Sequence, residues 1–302
     1  MFSDMDHDKA QLMRMATYAS TTVAISLIII KLVAWFMTGS VSILATLMDS
    51  CLDALASILN LFAVRHALAP ADKEHRFGHG KAEALSGLGQ ATFITGSALF
   101  LVLEAASHLL NPEPVTAMST GIWVMLISIV ATLGLMTFQK HVINKTNSTA
   151  IKADHMHYKT DLFVNIGVVV ALLLTFYGWP GFDPLFAIAI AAFILYSAWE
   201  IAKESLDLLM DRELPSEERD QIKSIVRSHP EARGLHDLRT RRSGTTTFIQ
   251  LHLELDDHLT LMQAHAISDD VEAALLKAFP DAEIIIHEDP ASLKESHPEF
   301  AP

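Results

Sequence analysis

Long apolar runs alternate with short polar connections over the first two thirds of the chain. Each of six runs is long enough for an α-helix to cross the hydrocarbon core of a bilayer, which takes roughly 20 residues. They cover approximately residues 15–38, 41–66, 83–109, 118–142, 151–177 and 184–208. The pattern therefore predicts an α-helical membrane protein with six transmembrane helices.

After these runs the pattern becomes that of a water-soluble domain. A helix, two strands with period-two alternation, a second helix and a last strand are predicted, in that order. They cover about residues 216–229, 236–242, 246–256, 260–279 and 283–287. The order αββαβ predicts a ferredoxin-like α+β fold. We therefore divide the chain into a transmembrane domain, residues 1–210, and a cytoplasmic domain, residues 211–302.

Composition supports a membrane protein, and the placement of the positive charges predicts its orientation. Hydrophobic residues make up 51% of the chain, and the mean hydropathy is +0.31. Lysine and arginine occur at the N-terminus and in the second and fourth connections, whereas the other three connections contain none. The positive-inside rule then places both termini in the cytoplasm. No basic segment with a cleavage site precedes the first run, so we expect no signal peptide.

The acidity of the chain belongs mainly to its tail. The net charge is −13, and the segment from Asp211 onward, with 19 acidic and 10 basic residues, accounts for −9. Nucleic acid is therefore not an expected partner. The single cysteine, Cys51, excludes an internal disulfide framework and a thiolate-rich metal site.

Two pairs of ionisable side chains interrupt the second and fifth apolar runs. Asp49 and Asp53 are four residues apart, and so are His157 and Asp161, which places each pair on one helix face. Two such faces offer three carboxylates and an imidazole, a donor set suited to tetrahedral Zn²⁺. The alternatives are snorkelling helix-end residues or a structural polar network, but ionisable groups at membrane depth are usually functional. Asp154, one turn before His157, is the second-ranked candidate on the cytoplasmic side.

The connection between the second and third runs holds another group of candidate ligands. Asp72, His75 and His79 lie within eight residues. They can close on one ion if the loop turns before the helix at Lys81, and the neighbouring glycines give the backbone that freedom. The alternative is a solvated polar loop whose charges only enforce topology.

The soluble domain carries a third group. His252 lies on the polar face of its strand, and His287 and Asp289 share a face if the last strand continues. With His236 and His265 they can converge on a pair of metal ions bridged by the aspartate. Histidines scattered over a soluble surface are the alternative.

Together these residues resemble the cation diffusion facilitator family, most closely its bacterial zinc and ferrous-iron efflux pumps. The resemblance covers nearly the whole chain. Its segments are Asp-Ser-Cys-Leu-Asp at 49–53, His-Arg-Phe-Gly-His-Gly-Lys-Ala-Glu at 75–83, His-Tyr-Lys-Thr-Asp at 157–161, His-Asp-Leu-Arg-Thr-Arg at 236–241, Gln-Ala-His at 263–265 and Ile-Ile-Ile-His-Glu-Asp-Pro at 284–290. Cys51, between the two aspartates, departs from the family pattern.

The resemblance implies a homodimeric exporter of Zn²⁺, Cd²⁺ and Fe²⁺ in the bacterial inner membrane, working by proton antiport and alternating access. It implies that the intramembrane quartet is the transport site, that the loop triad is a second site, and that the tail group is a binuclear Zn²⁺ cluster. It further implies a charge cluster of Lys81, Asp211 and Arg241 between membrane and tail, and an apolar gate at Met156.

Proton exchange also follows from the ligands themselves, because carboxylates and imidazoles must shed protons before they bind a cation. A rival interpretation is an intramembrane metal-dependent hydrolase. That class needs an open coordination position and a general base, typically in a His-Glu-x-x-His motif, which the chain lacks. We therefore do not expect an enzyme. A membrane-tethered metal sensor would account for the tail but not for the intramembrane quartet.

Overall fold

The structure, a computed structural model, describes residues 2–38, 41–110, 118–176 and 183–293. Six long helices come first, and each coincides with one predicted apolar run or extends it. They are α1 (Phe2–Thr38), α2 (Val41–Ala67), α3 (Ala82–Leu110), α4 (Met118–Thr146), α5 (Thr149–Phe176) and α6 (Asp183–Leu209).

The surface of these helices is apolar. Large side chains such as Phe36, Leu103 and Val130 are 74%, 69% and 69% exposed, which is typical of a surface covered by lipid rather than water. Within the described ranges, Asp8–Thr38 and Trp123–Thr146 are long and apolar enough by composition to cross a membrane. The count of six membrane spans stays a prediction.

Helix α5 lies at the centre of the bundle, where it packs against α2, α3 and α4. Small residues permit this packing. Ala98, Ala153 and Ala198 are buried with Ile94 and Ile194 in one cluster formed by α3, α5 and α6.

Two polar details fix the helix ends that lie near Gly87 and Glu83. A Cβ atom on Gly87 would lie 2.3 Å from the hydroxyl oxygen of the buried Ser205, so glycine permits the close approach of α3 and α6. The buried Glu83 carboxylate accepts hydrogen bonds from the Ser148 hydroxyl at 2.6 Å and from the Ala150 backbone N–H at 3.4 Å. This carboxylate therefore caps the first turn of α5 and ties it to α3.

The tail has the predicted order of elements. They are α7 (Ser216–Ser228), β1 (Gly234–Ser243), β2 (Thr246–Leu255), α8 (Leu261–Ala278) and β3 (Ala282–Pro290). The sheet order is β1-β2-β3, with β1 and β2 antiparallel and β2 and β3 parallel. Among the described residues, 7–206 form one compact unit, and 2–6 together with 207–293 form the other.

Alternation along β2 gives the tail sheet two different faces. Ile249, Leu251, Leu253 and Leu255 are buried against α7 and α8. The intervening positions carry polar side chains on the opposite face, because successive residues of a strand point to opposite sides. Helix α8 begins with a capping box in which Thr260 and Gln263 exchange hydrogen bonds.

Candidate metal centres

The first candidate centre lies between α2 and α5. The Nε2 atom of His157 is 3.1 Å from Oδ1 of Asp53 and 3.7 Å from Oδ2 of Asp161. All three donor atoms lie within 4.8 Å of one another. A tetrahedral Zn²⁺ ion holds neighbouring nitrogen and oxygen ligands roughly 3.3 Å apart, so this spacing suits such an ion.

Asp49 occupies α2 one turn before Asp53, on the same helix face. Its side chain lies outside the described residues. Its part in completing the quartet therefore stays a prediction.

Asp154 does not join this group. Its side chain is fully buried, and its Oδ2 atom accepts hydrogen bonds from the Ser20 hydroxyl and the Gln139 amide, both at 2.7 Å. Ser20 in turn contacts Ser57 at 3.1 Å, and Ser57 contacts the Tyr158 hydroxyl at 2.9 Å. This network links α1, α2, α4 and α5. This network was not predicted, since its only signal in the sequence is the presence of polar residues inside apolar runs.

Met156 is half-buried and packs against the apolar cluster of α3, α5 and α6. It lies next to His157 in the chain. Its role as a gate stays a prediction.

The second candidate centre is the loop between α2 and α3. The Oδ2 atom of Asp72 is 3.4 Å from Nε2 of His79, and its Oδ1 atom is 3.6 Å from Nδ1 of His75. Oδ1 also accepts hydrogen bonds from the backbone N–H groups of Glu74 and His75, at 2.8 and 2.6 Å. The bond from His75 is the main cause of a lowered pKa of Asp72, which favours the ionised, metal-binding form. Gly78, at φ +78°, turns the chain here.

The third candidate centre lies on the polar face of the tail sheet. His252 on β2 is paired in register with His236 on β1 and with His287 on β3, so one rung of the sheet carries three imidazoles. The buried Asp289 lies among them. Its Oδ2 atom is 2.7 Å from Nδ1 of His252 and 3.3 Å from Nε2 of His236, and its Oδ1 atom is 3.2 Å from Nε2 of His287. The two oxygens thus face different imidazoles, as a bridging carboxylate requires.

Two further carboxylates lie beside this centre and were not predicted from the sequence. Glu254 accepts a hydrogen bond from Nδ1 of His236 at 2.8 Å, which directs Nε2 of that ring towards Asp289. Such a carboxylate partner is typical of zinc-binding histidines. Asp237, at φ +46° beside an irregularity of β1, has Oδ2 3.9 Å from Nε2 of His252. The two-residue spacing from His252 to Glu254 was the available signal.

His265 is not brought into this group. It lies on α8 with its side chain 66% exposed, and its Nε2 atom is 3.7 Å from Asp269 one turn away. Its part in a binuclear cluster stays a prediction.

Of the predicted charge cluster, Arg241 and Asp211 form an ion pair at 3.3 Å, and the Arg241 guanidinium lies over the Phe248 ring at 4.3 Å. Lys81 immediately precedes α3, in the other compact unit. The cluster of three charges stays a prediction.

Two models of known protein families match the chain. The family model described as the cation efflux transmembrane domain matches residues 17–210. A second, described as the cation efflux protein cytoplasmic domain, matches residues 214–291.

Relatives of full length are similar throughout. The cation-efflux pump FieF of Klebsiella pneumoniae is 52% identical over 289 residues, which cover 96% of each chain. The protein of the same name from Yersinia enterocolitica is 52% identical over 295 residues, 97% of this chain and 98% of that one. Among solved structures, the metal-bound C-terminal domain of the CzcD transporter from Thermotoga maritima is 29% identical, with a TM-score of 0.25, and covers 26% of this chain and 93% of its own.

Proposed function

Since this chain belongs to the cation efflux family of membrane transporters, which are not enzymes, we propose that it exports Zn²⁺, and also Cd²⁺ and Fe²⁺, in exchange for protons. We place it in the bacterial inner membrane as a homodimer. Six helices of each copy cross the bilayer, and both termini and the tail lie in the cytoplasm.

The observation that carries the proposal is the group of Asp53, His157 and Asp161. Oxygen and nitrogen donors from two helices meet at distances of 3.1 and 3.7 Å, close to the spacing of ligands around one tetrahedral ion. With Asp49 as the fourth ligand, the protein fills every coordination position. A filled position leaves no site for an activated water, which suits transport rather than hydrolysis.

Exchange with protons follows from the chemistry of the ligands. Metal ions and protons compete for the same carboxylates and imidazole. A cytoplasmic ion displaces protons from the transport site, the helices rearrange to open outward, and protons from the more acidic side release the ion. One pH unit across the membrane provides about 1.4 kcal/mol per proton, which corresponds to roughly tenfold accumulation of metal per proton exchanged.

We assign a second role to the tail. The donors of His236, His252, His287 and Asp289 fit Zn²⁺, and the two Asp289 oxygens suit a bridge between two ions. His265 is the fifth proposed ligand. Because each tail carries a net charge of −9, bound cations reduce the repulsion between the two tails of a dimer and favour their association.

The remaining assignments concern the cytoplasmic side of the membrane. We propose that the loop residues Asp72, His75 and His79 bind a separate metal ion. Lys81, Asp211 and Arg241 are proposed to join the membrane domain to the tail. Met156 is proposed to close the path to the transport site as an apolar gate.

Flux measurements in proteoliposomes test the proposal. Vesicles holding the purified protein receive Zn²⁺, Cd²⁺ or Fe²⁺ under a set pH gradient, while a metal dye and a pH dye are read together. We expect metal uptake coupled to proton movement in the opposite direction, and loss of both signals in protein-free vesicles. Metal uptake that is independent of the pH gradient would overturn antiport. Absence of protein-dependent uptake for all three ions would overturn export.

A further inference from the structure

The loop between α2 and α3 brings a third imidazole beside its candidate metal site. His66 lies in the last turn of α2, and its ring centroid is 4.5 Å from that of His79, in an edge-on arrangement. The His75 ring is 4.7 Å from the same His79 ring. Nothing in the family assignment or in the ligand sets above gives His66 a role.

The loop triad supplies only three ligands to a tetrahedral ion. Asp72 binds through one oxygen, because Oδ1 is held by the two backbone N–H groups of Glu74 and His75, which leaves Oδ2 facing His79 at 3.4 Å. His75 and His79 provide one nitrogen each. One of four coordination positions is therefore left for a further ligand.

The backbone after His66 holds this residue close to the loop site. The Ala69 N–H donates to the His66 carbonyl at 2.9 Å, so the chain continues in a tight turn after α2. The Ala69 carbonyl in turn lies 3.4 Å from Nδ1 of His79. This contact favours a proton on Nδ1 and leaves Nε2 of His79 for a metal ion.

We propose that His66 is the fourth ligand of the loop site, which takes a divalent ion of the Zn²⁺ type in tetrahedral geometry. In the present structure the His66 ring contacts His79 but is not one of the grouped ligands. Because the His66 side chain is exposed, it can rotate and bring a ring nitrogen to the fourth coordination position. The metal then ties the loop to α2. Asp53 lies 13 residues earlier on the same helix, about 20 Å away.

The proposal rests on the loop metal site of the proposed function, and the experiment separates the two. Full-length protein in detergent is titrated with Zn²⁺ against a chelator, and bound Zn²⁺ is examined by X-ray absorption. His79→Ala reports whether the loop binds metal, and the difference between wild type and His79→Ala isolates the loop ion. His66→Gln removes the proposed ligand, and His141→Gln removes an exposed imidazole from the end of α4 as a matched control.

We expect loop affinity to fall at least about tenfold in His66→Gln, since losing a ligand costs no less than losing its hydrogen-bond partner. The loop ion should also lose one of its three imidazoles in His66→Gln. The control His141→Gln should bind Zn²⁺ as the wild type does. Unchanged affinity in His66→Gln with two imidazoles in the wild type would overturn the role of His66. No loss of metal in His79→Ala would instead overturn the loop site itself.

A second variant keeps the test decisive if His66→Gln is poorly folded. His66→Cys, loaded with Co²⁺, should show thiolate-to-cobalt charge-transfer absorption, because a thiolate replaces the imidazole on the metal. The wild type already contains the exposed Cys51, so it serves as the thiol-containing control. Absence of the band in folded, Co²⁺-loaded His66→Cys would contradict the assignment.

Discussion

Asp154 and His157 lie one turn apart on α5, yet different helices hold their side chains. Asp154 accepts hydrogen bonds from Ser20 of α1 and Gln139 of α4. His157 faces Asp53 of α2. One turn of α5 therefore contacts three helices. Of these three contacts, only that between His157 and Asp53 belongs to the candidate transport site. Substitutions at the two positions should have different consequences.

Asp154→Leu should destabilise the helix bundle without acting through metal. It leaves the Gln139 amide without its buried acceptor, at a cost of about 1–3 kcal/mol, whereas the Ser20 hydroxyl keeps its contact with Ser57. Asp154→Asn keeps an acceptor oxygen, so it should lose less stability than Asp154→Leu. It should also bind as much Zn²⁺ as the wild type. Denaturant unfolding in detergent and metal analysis measure both. A loss of bound Zn²⁺ in folded Asp154→Asn would instead make Asp154 a ligand.

Asp53→Ala should abolish metal transport while the dimer stays intact. The substitution removes an oxygen 3.1 Å from His157 Nε2 but changes little of the helix packing. Zn²⁺ flux into proteoliposomes and size-exclusion chromatography are the measurements. Leu55→Ala, at an exposed position of the same helix, is the control and should transport normally. Wild-type flux from folded Asp53→Ala protein would refute the site.

His157→Asp should weaken discrimination against Mn²⁺. It removes the only nitrogen donor of the proposed quartet, and an all-oxygen site favours ions such as Mn²⁺ over Zn²⁺. Competition between Mn²⁺ and Zn²⁺ in the flux assay measures the change. His155→Asp is a suitable control, since His155 lies on the same helix but outside the ligand group. An ion profile identical to that of the wild type would count against His157 as a ligand.

Glu254→Gln should weaken metal binding by the tail about 10–100-fold, the usual effect of removing a partner that orients a ligand. The carboxylate accepts from Nδ1 of His236 at 2.8 Å and so directs its other nitrogen to the metal. Chelator competition in the full chain reports the affinity. Glu231→Gln makes the same charge change at an exposed position and should leave affinity unaltered. Equal affinities for the two variants would remove Glu254 from the centre.

Asp289→Ala should separate the two tails of the dimer and lower the apparent metal affinity or the rate of transport. The carboxylate faces three imidazoles, so its loss leaves the tail metals without their bridge. Transport should remain measurable at saturating metal, because the quartet is untouched. Spin labels on each tail report their separation with and without metal, and Glu283→Ala on the same strand is the control. A distance that stays fixed in wild type and Asp289→Ala would mean that the cluster is no regulatory clamp.

Periodicity was sufficient to predict the elements and most of the candidate ligands. The spacing of His157 and Asp161 fixes their common helix face, and the alternation around His252 fixes its strand face, before any tertiary contact is known. The αββαβ order could be read in the same way. These are local properties, so a single sequence contains them.

Contacts between elements could not be predicted in this way. Glu254 reaches His236 only because β1 and β2 pair in one particular register. Gln139 reaches Asp154 only because α4 packs beside α5. The approach of His66 to His79 likewise depends on how the loop folds back on α2. Spacing along one element carries no information about which neighbour it meets.

The rung that joins His236, His252 and His287 also sets the order in which a newly made chain acquires its metal sites. Synthesis runs from the N-terminus, so every proposed membrane ligand has been made by Asp161. The tail rung stays open until β3, the last strand within the described residues, leaves the ribosome and pairs with β2. A nascent chain therefore completes its proposed export ligands first, and the proposed tail site can bind metal only after β3 has been made.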